Sequence, residues 1–181
     1  MLFASFILTL MTGCEEKKEA KTIITTRPVE VVKKDTIKME RMDNTSNVKW
    51  KGSQYNIIIS RYPDEALSLT EDESENKYYD NRVMLKILHS DGTVFLKREF
   101  LKSDFKEFVS DESFQKKALV GFVFNTVDKG CLKFAASVGS PDKFSDDFIP
   151  FDVVVSQGGE MSIKLTEQNL IEVASASDTV K

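Results

Sequence analysis

The residues able to do chemistry in this 181-residue chain are few: two cysteines, one histidine, and a pair of adjacent carboxylates. Cys14 has the most telling surroundings. An apolar run from Leu2 to Met11 ends in Thr12-Gly13, and a charged stretch, Glu15 to Lys18, follows the cysteine at once. A run of about ten residues is too short to span a bilayer as a helix but has the length of a secretory core segment. Small residues before a cysteine suit a lipoprotein signal peptidase, so residues 1–13 are expected to be a signal peptide and the Cys14 thiol to carry a lipid. The terminal amine is the only positive charge ahead of the apolar run. The alternative is an ordinary hydrophobic N terminus with an incidental cysteine.

Cys131 is then left without a partner in the chain, which excludes an internal disulfide. Its thiol could react only with a neighbour to lower its pKa, and a passive small residue beside a turn is the expected reading. His89 is the sole histidine, so any site needing two imidazoles is excluded. It has the parity of Val83, Leu85 and Ile87, which suggests a rim or core residue rather than a general base. Asp146 and Asp147 resemble a glycosidase pair in type only, because adjacent residues on a strand point to opposite sides. The acidic run Glu71-Asp72-Glu73-Ser74-Glu75 lacks the alternating ligands and glycine of a calcium loop and reads as a solvated face. No GxGxxG, phosphate-binding loop or zinc-ligand spacing occurs, so neither a cofactor nor a metal is expected. No catalytic residue is assigned.

Phe144, Phe148 and Phe151 admit two readings, a small apolar pocket or filling of the sheet core, and the core is the expected one. Phe144, Asp146, Asp147 and Phe148 also form a candidate partner-binding loop. Lys and Arg number 25 against 29 Asp and Glu, a mildly acidic balance that argues against nucleic acid as a partner.

The elements that must position these groups are mostly strands. Residues 14–47, rich in Lys, Glu and Thr, are expected to be the lipidated cysteine and a flexible tether, with Thr22 to Val32 as an optional edge strand. One β-rich domain is expected over 48–170, and a disordered tail over 171–181. From Val48 the apolar period becomes two. Val48 to Lys51 and Tyr55 to Tyr62 form a strand or strand pair broken at Gly52, with Tyr55, Ile57 and Ile59 on one face. Pro63 to Glu75 reads as a loop.

Three hairpins follow. Arg82–Ser90 and Thr93–Phe100 flank Asp91-Gly92, a two-residue loop that sets Ile87 opposite Leu96 and His89 opposite Val94. Leu119 to Val138 turns through a three-residue loop, Asp128-Lys129-Gly130. Its return strand puts Leu132, Phe134, Ala136 and Val138 on one face and Lys133 and Ser137 on the other. Ile149–Ser156 and Glu160–Leu165 turn through Gln157 to Gly159, pairing Phe151 with Leu165, Val153 with Ile163 and Val155 with Met161; a one-residue slip would turn every side chain over. Between the first two hairpins, Asp104 to Lys117 is helical and breaks near Ser110–Ser113. There Asp104 is the N-cap with Glu107 three residues on, and Phe105, Phe108 and Val109 share a face. The expected fold is α+β and mostly antiparallel β, a meander of hairpins (sandwich or partly open barrel) with one short helical segment packed on it.

Trp50-Lys51-Gly52, Tyr78-Tyr79-Asp80-Asn81-Arg82, Asp91-Gly92, Asp104-Phe105 and Ser145-Asp146-Asp147-Phe148-Ile149-Pro150-Phe151 occur in order behind the Cys14 motif. This ordering resembles that of small lipoproteins of gut Bacteroidota that form a domain-of-unknown-function family, over about Val48 to Leu165. The resemblance implies a Gram-negative envelope lipoprotein and carries no catalytic residues. Glu15 and Glu16 are similar to surface-export signals of that phylum, which implies outer-membrane display. The expected function is a non-enzymatic binding or interaction module, anchored to the membrane by its N-terminal lipid and engaging a protein or glycan partner. The alternatives are an accessory or inhibitor-like subunit of an envelope complex and, third, a hydrolase with a carboxylate site.

Overall fold

A computed structural model of the chain describes residues 34–110 and 112–166. Residues 1–13, Cys14, the optional strand at Thr22–Val32 and the tail at 171–181 lie outside the described residues. Among the described residues ten strands form: β1 Met42–Trp50, β2 Ser53–Pro63, β3 Leu69–Glu71, β4 Lys77–Tyr79, β5 Asn81–His89, β6 Val94–Phe100, β7 Ala118–Asp128, β8 Cys131–Gly139, β9 Phe148–Val155 and β10 Met161–Leu165. They make two four-stranded antiparallel sheets, in the orders β1-β2-β5-β6 and β10-β9-β8-β7, and a small β3-β4 hairpin.

Alternation explains which faces meet. Tyr55, Ile57 and Ile59 on β2, Val83, Leu85 and Ile87 on β5, Leu132, Phe134, Ala136 and Val138 on β8, and Phe151, Val153 and Val155 on β9 are all buried in one core. Phe100 of the first sheet meets Phe122 of the second at 4.6 Å between ring centroids. Between β6 and β7 the chain makes two 3-10 turns, Lys102–Phe108 and Glu112–Gln115. Phe105 from the first lies 6.3 Å from the Phe100 ring and 4.9 Å from the Phe151 ring, so it seals the seam between the two sheets. Asp104 is not the N-cap: its carboxylate accepts the Leu101 N–H at 2.7 Å from the third position of the turn.

The tether boundary at residue 47 is corrected. β1 starts at Met42, and Ile37 already bridges β4, donating its N–H to Lys77 O at 2.8 Å and accepting that of Tyr79 at 3.0 Å. Met42 to Asn47 carries no period-two signal because neither face is deeply buried. It is a strand because β2 offers an unpaired edge.

The third hairpin has the expected three-residue loop, with Val153 opposite Ile163. In the other two the loop lengths are interchanged. At Asp91-Gly92 only Gly92 has positive φ; Gly92 N donates to His89 O at 3.0 Å and His89 N to Thr93 O at 2.8 Å, which makes a three-residue loop starting at Ser90. At the second, Lys129 (φ 48°) and Gly130 (φ 77°) form a two-residue loop between paired Asp128 and Cys131. A bulge corrects each strand. Leu88 pairs with Val94 but Ile87 with Leu96, leaving Phe95 as the extra residue. Thr126 pairs with Lys133 but Phe124 with Phe134, leaving Asn125 extra. Beyond the bulge each hairpin regains the register that its expected loop would have set, in the second as far as Gly121, where a further shift at Val120 intervenes, since burial selects face whatever the turn does.

Candidate functional site

The loop from Ser140 to Asp147 joins β8 to β9 at the end of the sandwich remote from the Trp50 hairpin. Gly139 makes its return possible, because a Cβ there would lie 2.4 Å from Asp147 O and 2.6 Å from Phe148 Cβ. The loop is held by its own short-range bonds. Ser140 N donates to Asp147 O at 2.9 Å, Phe144 N to Asp142 Oδ1 at 3.0 Å, and Asp147 N to Ser145 Oγ at 3.2 Å. Lys117, only 7% exposed, pairs its ammonium with the Asp147 carboxylate and ties the loop to the segment before β7.

This pinned loop forms one wall of a groove of about 740 Å³. Phe144 and Phe148 stand on that wall, 85% and 52% exposed. The lining also includes Ile37, Met39 and Met42 from the strip entering β1, and Val120 of β7. Flexible thioethers beside rings make an adaptable apolar surface.

Arg61 also lines the groove, although it is only 9% exposed. It continues the inward parity of Tyr55, Ile57 and Ile59 at the end of β2, so a guanidinium occupies a position that is apolar further along the strand. One Nη2 donates to Glu40 O at 3.1 Å, whereas Nε is buried without a partner and no carboxylate of the described residues pairs with the group. Burial holds its pKa below the ordinary arginine value against the opposing effect of Glu40.

The four residues expected in a partner-binding loop are thus separated by role. Phe144 and Phe148 line the groove; Asp147 lines it and anchors the loop; Asp146 faces a smaller depression beside Asp72, Glu73 and Ser74. The expectation that three phenylalanines fill the core holds for Phe151 alone. His89 is at the far end of its strand, half-buried with its ring 5.0 Å from Tyr55 and 5.7 Å from Phe95. Cys131 is a half-buried free thiol at the second hairpin. Neither lies in the groove.

The acidic run folds into a turn beside the groove. Asp72 accepts bonds from Ser74 N, Asn76 N, Asn76 Nδ2 and Tyr78 Oη between 2.8 and 3.0 Å. Burial works against its charge, but these donors more than offset it and lower its pKa. Glu71 is held low by hydrogen bonds from Lys116 and Lys77. Among the described residues no group of side chains is arranged to hold a metal ion.

Arg61, Met39 and Met42 were not foreseen as site residues. Arg61 had a legible signal, a charge at the next inward position of an otherwise apolar strand face. Met39 and Met42 had none, since they lie in the stretch read as tether.

Comparison with protein families matches residues 20–163 to Domain of unknown function (DUF4738). A search among curated proteins finds no match.

Proposed function

The chain belongs to that family, and from this premise we propose that it is a membrane-anchored envelope lipoprotein whose β-sandwich is a binding module working through the Phe144 groove. The anchor is Cys14, supported by the apolar run Leu2–Met11, the small residues before the cysteine and the charged stretch after it. Glu15 and Glu16 support display at the outer membrane of a Gram-negative cell. The observation that carries the binding role is the pair of exposed rings, Phe144 and Phe148, on a loop fixed at both ends. Exposing an apolar ring to water is unfavourable, and a rigid backbone that keeps two of them out marks an interaction surface.

Two measurements in intact cells test this. Radiolabelled palmitate should enter the wild-type chain and not Cys14→Ser; absence of label from wild type removes the anchor. A photo-crosslinking amino acid in place of Phe144 should capture a discrete adduct, whereas the same group in place of Val94, another exposed apolar residue on β6, should not. No adduct, or equal adducts at both positions, removes the groove as the binding site.

A further inference from the structure

We propose that Arg61 is the anchor for a single carboxylate on the groove's ligand, and that the ligand is the C-terminal residue of a peptide with an apolar side chain. This rests on the groove being the binding site. A guanidinium offers five donors in a planar fork that matches a carboxylate. Here one bond to a backbone carbonyl is made and a buried nitrogen is left without a partner. A buried charge is costly unless it is paired, and among the described residues Arg61 forms no ion pair, Glu40 acting on it only from beyond contact distance, so an incoming anion could bond the fork directly at the cavity wall.

The rest of the lining narrows the anion. Lys38 is engaged with Glu65 at 2.5 Å, and Lys143 lies 4.9 Å above the Phe144 ring. Glu40, Asp142 and Asp147 also line the cavity, so its three cations face three carboxylates. That balance disfavours a phosphate or a polyuronate and suits one negative charge. Met42, paired with Arg61 across β1 and β2, lines the same cavity as Met39 and Phe148, and these suit an aliphatic or aromatic side chain. One carboxylate next to an apolar side chain is the chemistry of a peptide C terminus.

The test uses the full chain carrying Cys14→Ser, and random tetrapeptides made once as free acids and once as C-terminal amides. Free acids ending in an apolar residue should bind at least tenfold more tightly than their amides. Arg61→Gln should bring the acids down to the amide level and leave the amides unchanged, while Arg61→Lys, which keeps the charge, should retain part of the preference. The acid–amide contrast on the wild-type groove needs no variant, so it stands even if Arg61→Gln does not fold. Equal binding of acids and amides, or a preference that survives Arg61→Gln, overturns the role of Arg61 but leaves the groove as a binding site. If neither set binds while the Phe144 crosslink still forms, the peptide assignment is wrong. Oligouronate binding that depends on Arg61 would also overturn it. Loss of both binding and crosslink removes the groove reading itself.

Discussion

At one end of β2, Tyr55 points inward among the rings of Trp50, His89 and Phe95; six positions along the same strand and face, Arg61 points inward and forms no ion pair among the described residues. The Tyr55 end is closed by Trp50, whose ring packs edge-on against Tyr55 at 5.0 Å and Phe95 at 5.2 Å, and whose Nε1 donates to Gly130 O at 2.8 Å. Lys51 Nζ adds a bond to Gln157 O at 2.7 Å, so the loops of both sheets are joined there. Among the described residues the Arg61 end has no such lid. Its loop is pinned outward by Gly139 and Lys117, and its rings stay in water. The same alternation thus builds a sealed end where the inward residues are apolar and their polar atoms are matched, and an open end where neither holds.

The comparison can be broken or sharpened by substitution. Trp50→Ala should have the largest effect, a loss of about 3–5 kcal/mol in urea unfolding, since it removes a buried ring and orphans the Gly130 carbonyl. A loss under about 1 kcal/mol would mean the closed end does not hold the sheets together. Gly139→Ala should cost about 1–3 kcal/mol, because the new methyl must displace backbone at Asp147 and Phe148. Its amide chemical-shift changes should centre on Ser140–Phe148 and leave Trp50 in place; changes spread over both ends would deny that the ends are independent. His89→Gln should cost about 1 kcal/mol by losing ring contacts with Tyr55 and Phe95. Groove binding by that variant should equal wild type.

The smallest effect is an acid step confined to the open end. Glu71 and Asp72 have folded-state pKa values below their ordinary 4.5 and 3.8. A carboxylate with a lowered folded-state pKa stabilises the fold above the unfolded value, and that contribution is lost as pH falls through the folded one. Tyr78 both lines the groove and donates to Asp72, so acid should loosen β3-β4 first. Amide hydrogen exchange at Ile37 and Tyr79 should rise below about pH 4 while the Trp50 end stays protected. Asp72→Asn should flatten the step; an unchanged step would place its origin elsewhere.

Much of the fold was legible because strand burial repeats every two residues. Inward faces of β2, β5, β8 and β9 follow from alternation, as does the register of the third hairpin. Turn lengths were less so. Asp91-Gly92 and Lys129-Gly130 each allow more than one loop, and Asp91 accepts the Thr93 N–H and hydroxyl at 2.9 and 2.6 Å in a way that dipeptide preference does not anticipate. Bulges at Phe95 and Asn125 then absorb the difference. The candidate site was half legible. Phe144 and Phe148 were named as a loop for a partner, yet were expected in the core, because apolar type alone does not distinguish a ring that finds neighbours from one held away from them.

Local pattern alone determined which side chains turn inward, where the chain reverses, and that a thiol at position 14 follows an apolar run, since each depends on residues a few positions apart. Tertiary structure alone decided that Met42–Asn47 becomes a strand, that Gly139 brings Phe148 back across the sheet end, and that Arg61 is buried with no ion pair among the described residues. Those outcomes depend on which distant residues arrive alongside, and an unpartnered guanidinium nitrogen is visible only once the strands around it are in place.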